Sequence, residues 1–486
     1  MDFDFTFRPS KSARRRDETA SRILILGNLR GQNTEAQAPL LERPIVKIDI
    51  DNVDDQLARH APSVVLGAEA GGERLQFRTF EDFHPDKLVE TLTVFRRLLD
   101  LRRRLEHPGT FAGALAELRA DPIAGQSVTR EEPPSPIRTD DESSTFERLL
   151  GRPPVTQPAN PQSAGLGPID ALIRRIVAPH IVQAADPQLP QLLFAVDIAL
   201  SDAMRRVLHD PGFQEVEATW RGIRWLVTSL ELGEELELHL LHVPREELSK
   251  GVGPDSDLYR RLVEREARTT SGLELSALVG NYRFNATKPD LDLLESLGSL
   301  ARAAGAPFVA EGGASLLGAS TLARQPDPRD WTPLDPEIDA RWASLRRGPV
   351  APYVGLLLPR FLLRLPYGSR SDRIEAFRFE EQPDKPEHDA FLWGNPALAC
   401  AVVIARVLEV DSVDSDAGTI TGLPAYVSTR DGEPHLQPCA EVGLTERAIE
   451  AMLARGIMPL VNLKDRDAAR LVRLQSIADP PAALAG

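Results

Sequence analysis

LSALVGNYRFNATKPDLDLLESLGSLARAAGAPFVAEGG, residues 275–313, is the stretch that decides the fold. LSALVGNYRF is a short apolar run with aromatic residues and reads as a strand. LDLLESLGSLARAAG repeats leucine at helical spacing, with Asp290 as the expected N-cap and Gly305 as the expected stop. APFVAEGG is a second strand. Strand, helix, strand is the unit that joins parallel strands, so a parallel sheet covered by helices is expected.

The same alternation extends to both sides. Upstream, QLLFAVDIALSDAMRRVLHD and FQEVEATWRGIRWLVTSL read as helices, and EELELHLLHVP alternates like a strand. Downstream, ARQPDPRDWTPLDPE precedes a segment expected to be rich in strands, Tyr353–Glu381. Asn395 and Pro396 then open a helix reaching Leu408. TITGLPAYVSTRDGEPHLQ reads as a small β unit, and TERAIEAMLARG as a helix capped by Thr445 and stopped at Gly456. IMPLVNL is a last strand, and the tail 481–486 is expected to fray.

The first third has its own pattern. RILILGNLRG reads as a buried strand, PIVKIDIDNVDDQLARHAP as a strand entering a short helix, and SVVLG and RLQFRTF as further strands. Pro85 fits a helix start, and Leu88, Leu92, Phe95, Leu99 and Leu105 place one apolar stripe along a helix reaching about Arg104. Phe3, Phe5 and Phe7 alternate with Asp2, Asp4 and Thr6, as in a half-buried strand. That strand has no local hairpin partner, so it closes its own sheet from afar or pairs with another chain. Between 121 and 167 prolines and polar residues dominate, which marks a flexible linker. STFERLLGR interrupts it, with Phe146, Leu149 and Leu150 on one helical face: a docking peptide or a transient turn.

Function classes narrow by exclusion. A chain of 486 residues needs more than one ordinary core. Net charge is 57 − 72 = −15, which disfavours nucleic acid as a partner. Two unrelated cysteines, Cys400 and Cys439, fit a reducing cytoplasm. No secretory signal is expected, and no apolar run approaches the roughly 20 residues of a membrane span. GNLRG (27–31) lacks GK[ST] and reads as a strand-exit turn. His239 and His242, three apart on a strand, point to opposite faces. Asp411–Thr419 lacks the glutamate of a calcium loop. With no HExxH, CxxC or GxSxG motif, neither an enzyme nor a cofactor is expected.

Eight separated patches then agree, in order, with one family. LPRFLLRLPYG (358–368), FLWGNPALACA (391–401), FQEVEATWRGIRWLV (213–227), LVGNYRF (278–284), APFVA (306–310) and GIMPLVNLKDRDAARLVRLQS (456–476) resemble the large subunit of the type VI secretion contractile sheath, the TssC or VipB family. DNVDDQLARHAP (51–62) and FRTFEDFHP (77–85) are similar to the small subunit, TssB or VipA, normally a separate polypeptide. The chain therefore resembles a natural fusion of the two. Two patches depart from the pattern, EREARTTSGLEL (264–275) and RDAARL (466–471).

The resemblance implies a mixed α/β sheath-type fold with terminal strands available for pairing between protomers. Its implied division is an N-terminal strand and arm (1–19), a small-subunit-like domain (20–120), the linker (121–167), a large-subunit-like region (168–480) and the tail. It marks Trp220, Arg221, Gly222, Pro359, Arg360, Arg364, Pro366, Tyr367, Gly368, Trp393, Gly394 and Asn395 as a signature core. It also implies partners: other copies in a helical polymer, Hcp-like hexameric rings of an inner tube, baseplate proteins, and a ClpV-like AAA+ ATPase that would meet Phe146, Leu149 and Leu150. A sheath-like cap, collar or adaptor is the alternative, and an α/β enzyme the remote one. Neither nucleic acid nor direct membrane insertion is implied.

Overall fold

The computed structural model describes residues 20–33, 35–119, 189–265, 275–382, 387–409, 417–430, 433–464 and 466–485. Phe3, Phe5 and Phe7, the linker with Phe146, Leu149 and Leu150, and most of the Asp411–Thr419 connection lie outside the described residues. Two compact units are present, residues 1–92 with 201–486, and residues 93–200.

In the larger unit, β1 (Ser21–Gly27), β2 (Val46–Ile48), α1 (Val53–His60), the hairpin of β3 (Ser63–Val65) and β4 (Arg74–Gln76), and α2 (Pro85–Thr91) come first. The smaller unit holds α3 (Thr93–Glu106), α4 (Pro108–Arg119) and the first part of α5 (Leu189–Leu208). Within it Arg102 pairs with Asp197 at 2.8 Å and Arg104 with Glu117 at 2.6 Å. One continuous helix was expected from Pro85 to Arg104, but it breaks at Leu92, whose backbone is extended at ψ 134°. The Thr91 hydroxyl bonds back to the Lys87 carbonyl, a side-chain bond that competes with helix continuation. Restarting at Thr93 shifts the buried stripe to Val94, Phe95, Leu98, Leu101 and Leu105, leaving Leu99 half-buried.

The chain continues with α6 (Pro211–Ser229), β5 (Leu236–His242), β6 (Ala277–Phe284), α7 (Lys288–Ala304), β7 (Phe308–Gly312) and α8 (Pro336–Arg347). Then come β8 (Val354–Leu358), β9 (Phe361–Leu362), β10 (Trp393–Gly394) and α9 (Pro396–Glu409). The last elements are β11 (Thr419–Thr421), β12 (Tyr426–Arg430), β13 (Glu433–Gln437), α10 (Glu446–Ala454), β14 (Ile457–Asn462) and β15 (Ala468–Leu471).

Nine of the strands form one sheet in the order β11-β15-β14-β8-β7-β6-β1-β5-β2. The six from β14 to β5 are parallel, as the strand–helix–strand reading requires, with antiparallel strands at both edges. Parallel sheets are covered on both faces, so their strands become continuous apolar runs. Ile23, Leu24, Ile25 and Leu26 are accordingly all 0% exposed. At about 2 kcal/mol per buried side chain, these four contribute about 8 kcal/mol. Leu24 and Leu26 share a cluster with Leu291, Leu294 and Leu297 of α7, and α9 packs on β6, β7, β8 and α6.

The sheet crosses the division into residues 20–120 and 168–480. β1 lies between β5 and β6, and β5 lies between β1 and β2, so strands from the two stretches interleave.

Three local expectations give way to other arrangements. The cap of α7 is Thr287, whose side chain accepts from the Asp290 amide; Asp290 instead binds Arg245 and the Asn285 amide. Only β8 and β9 are strands within Tyr353–Glu381; the remainder is irregular and held by side-chain charges described below. Residues 481–485 do not fray. Leu484 is fully buried, the Ala482 carbonyl accepts from the Ser476 amide, and the Ala485 amide donates to the Pro352 carbonyl. Ala482 packs against the core and Leu484 lies close to Gly355 of β8, apolar contacts that a polar tail would not make.

Candidate functional site

The signature residues gather in three linked clusters, all in the larger unit. The first surrounds Glu217 on α6. Glu217 is fully buried and accepts from Arg221 Nε at 2.7 Å, one turn further along the helix, and from Arg364 Nε at 2.9 Å. Arg364 also reaches Glu381 at 2.7 Å, and Glu381 accepts from the Tyr367 amide at 2.7 Å. Tyr367 Oη accepts from Arg221 at 2.9 Å, and the Arg364 guanidinium lies 4.3 Å from the Tyr367 ring centre. Burial opposes charge on Arg221, Arg364 and Glu381. The Arg364 guanidinium nevertheless stays protonated, because Glu217 and Glu381 raise its pKa. Burial would likewise raise Glu381, but Arg364 and His209 hold its carboxyl down at about 2. Pro366 is buried, and its carbonyl accepts from the Ser371 hydroxyl.

Two glycines of the signature sit against neighbouring side chains. A β-carbon on Gly222 would lie 2.6 Å from Leu398 Cδ1, so α6 approaches α9 closely only without a side chain there. A β-carbon on Gly368 would lie 2.2 Å from a Glu380 carboxylate oxygen.

The second cluster joins Arg360, Glu441, His388 and Trp393. Arg360 follows the cis Leu358–Pro359 bond and grips Glu441 with two side-chain bonds of 3.0 and 2.7 Å. His388 Nε2 stands 3.1 Å from Glu441 and stacks on Trp393, whose indole N–H donates to the His388 carbonyl. Burial notwithstanding, His388 and Arg360 hold the Glu441 carboxyl well below the usual range. Trp393 and Gly394 form β10 against β9. Asn395 caps α9 by accepting from the Ala397 amide and ties it to β6 by donating to the Tyr282 carbonyl.

The third cluster is centred on Trp220, fully buried, whose indole N–H donates to the Leu29 carbonyl at 3.1 Å. The Leu29 amide in turn donates to His242 Nδ1 at 3.0 Å, and His60 packs 5.5 Å from Trp220. Burial, helped by Arg43, His60 and Arg30, depresses His242 to about 3, so its ring is neutral. The backbone of one residue, Leu29, thus ties the first ninety residues to two side chains beyond position two hundred.

The sequence did not single out Glu217, Glu381, Glu441 or His388. Glu217 and Arg221 do carry a local signal, an acid–base pair four apart on a helix. Arg364 with Glu381, and Arg360 with Glu441, are too far apart in sequence to show one.

A cleft of about 520 Å³ opens at the carboxyl ends of β1, β6 and β7, bordered by Asn28, Glu215, Arg283, Glu311 and Trp393. Within it Arg283 pairs with Glu311, while Arg245 and Arg360 turn to Asp290 and Glu441. Among the described residues no group of three His, Cys, Asp or Glu is placed to hold a metal ion. No helix among them is long and apolar enough to cross a membrane.

Comparison with known proteins reads this arrangement as a sheath protein. Residues 191–478 match the family model VipB, described as "EvpB/VC_A0108, tail sheath N-terminal domain". Residues 5–118 match the model described as "Type VI secretion system, VipA, VC_A0107 or Hcp2". A curated relative, the type VI secretion system sheath protein TssC1 of Pseudomonas aeruginosa (strain PAO1), is 32% identical over 306 residues. That match covers 60% of this chain and 61% of the relative, so the chain spans about three-fifths of that protein's length. The VipB match alone takes in more than half the chain, and the chain belongs to the VipB family of type VI secretion sheath proteins, with a VipA-type region ahead of it in the same polypeptide.

Proposed function

We propose that one chain is one complete sheath protomer, which polymerises in the cytoplasm around an inner tube of Hcp-like rings and contracts to propel it from a baseplate. The observation that carries this reading is the interleaved sheet: a VipA-type strand, β1, lies inside the VipB-type sheet, so the covalent fusion supplies both partners of one core. Surface chemistry supports contact between copies. The ribbon β12–β13 stands apart from the main sheet and presents Val427 and Leu436, 50% and 62% exposed, as a facing cross-strand pair. The work of contraction would reside in alternative packings of such surfaces, and no catalytic residue is required. After contraction, a ClpV-like ATPase would engage Phe146, Leu149 and Leu150.

Negative-stain microscopy of the purified chain tests the reading. Striated tubes are the expected outcome. Monodisperse particles that bind a preformed sheath would replace it with the cap, collar or adaptor.

A further inference from the structure

We infer that the gap between β5 and β6 is a strand-acceptor site, filled in cis by β1, and that this chain therefore refuses a separately made VipA-type subunit. The inference rests on the protomer reading and adds a rule for which partners may join.

The site is defined on both sides. All seven residues of β1 pair in parallel register with β5, Ser21 with Leu236 through Gly27 with His242. Ile23–Leu26 pair on the other side with Ala277–Gly280. The specificity this imposes is for a short parallel strand, apolar on both faces, since a polar residue at positions 23–26 would be buried without a partner.

Both ends of the inserted strand are fastened. At the start, the Ser21 amide donates to the Glu235 carbonyl and Arg22 pairs with Glu237 at 2.8 Å. At the end, the Leu29 amide is held by His242 and its carbonyl by Trp220. The same N-terminal stretch then returns: β2 pairs with the opposite edge of β5, and Arg43 clamps Glu247 through two bonds of 2.7 Å. β5 is thus gripped from both sides by strands of residues 21–48. Edge strands exchange by peeling from one neighbour, but β1 must break two ladders at once and expose four buried side chains to leave. A free subunit gains no foothold until that has happened. The covalent connection adds to this, because a tethered strand competes at an effective concentration of about millimolar, far above that of a free subunit at micromolar levels.

The test uses the full chain with a protease site placed between Glu131 and Ser144, cut after purification and kept unassembled. Isotopically heavy and light preparations of the cut protein are mixed and followed by native mass spectrometry. The expected result is no complex of hybrid mass over a day, since exchange requires opening that approaches global unfolding. Unfolding the mixture in denaturant and refolding it should then yield the full statistical share of hybrids, because an empty site accepts a strand from any copy. Hybrids appearing within an hour without denaturant would overturn the inference, as would dissociation of the halves on cutting. Refolding that returns no hybrid would show that the gap does not accept a strand in trans, and would overturn it too. Polymerisation is read separately, by microscopy of the uncut chain, so a failure to form tubes leaves the exchange result standing.

Discussion

Replacing Glu217 with glutamine probes the charge network that organises the longest signature patch. Glu217 is fully buried and is shared by Arg221 and Arg364. Glutamine keeps the shape and one acceptor but leaves Arg364 with the Glu381 carboxylate and Arg221 with the Tyr367 hydroxyl. Removing one partner of a buried pair costs about 3–5 kcal/mol, because the surviving charge loses compensation without regaining water. Arg221 has 25% of its side chain exposed and can turn outward, whereas Arg364, at 10%, cannot. The expected loss is therefore at the lower end, about 3 kcal/mol. Denaturant midpoints followed by tryptophan fluorescence measure it, since Trp220 and Trp225 lie on the same helix as Glu217. A second substitution, Arg221→Gln, removes the surplus charge and should return at least about 1 kcal/mol, a coupling expected of neighbours in one network. A loss under about 1 kcal/mol for Glu217→Gln, or strict additivity in the pair, would refute the reasoning.

Other tests address different parts of the molecule. His242 is neutral when folded, its pKa lowered to about 3, so the unfolded chain takes up a proton below pH 6.5 that the fold refuses. Stability should fall as pH drops from 6.5 towards 3, and His242→Asn, which can still accept from Leu29, should flatten that slope in melts across pH. Deleting residues 1–9 should leave a soluble, folded chain that forms no tubes if the Phe3, Phe5 and Phe7 strand tethers neighbours; unchanged tubes would end that idea, and unfolding would show the strand closing its own sheet. Replacing Leu149 and Leu150 with Asp should abolish binding of a cognate ATPase N-domain in titration while tubes still form; equal binding by the variant would make the segment a linker only.

Much of the fold was legible because its signals are local. The ILIL run of β1, the leucine spacing of α7, and the caps Asn395, Gly305, Thr445 and Gly456 each depend on a few adjacent residues. Where several cap candidates sit together, as Thr287 and Asp290 do, the choice turns on tertiary competition: Arg245 claims the Asp290 carboxylate. The place of β1 was not legible at all. Its run announces a buried strand, but its neighbours begin more than two hundred positions later, and no spacing rule connects them. The charge clusters divide likewise. Arg221 was visible beside Glu217, while Arg364 meets Glu217 and Glu381, and Arg360 meets Glu441, only through contacts distant in sequence. The resemblance located these residues as a signature without saying what binds them.

The interior position of β1 also sets a schedule for synthesis. Gly27 leaves the ribosome 250 positions before Ala277, the first residue of the strand on its far side (277 − 27 = 250). At about 5–20 residues per second, the segment ILIL waits roughly 12–50 seconds with one or both neighbours unmade. During that interval it is an apolar strand with open hydrogen-bonding edges, the kind of segment that chaperones capture and nascent chains on one message stick to. A chain encoded this way needs a guard for β1 from its emergence until β6 is made, and a slowed ribosome between residues 27 and 284 should lower the yield of soluble protein.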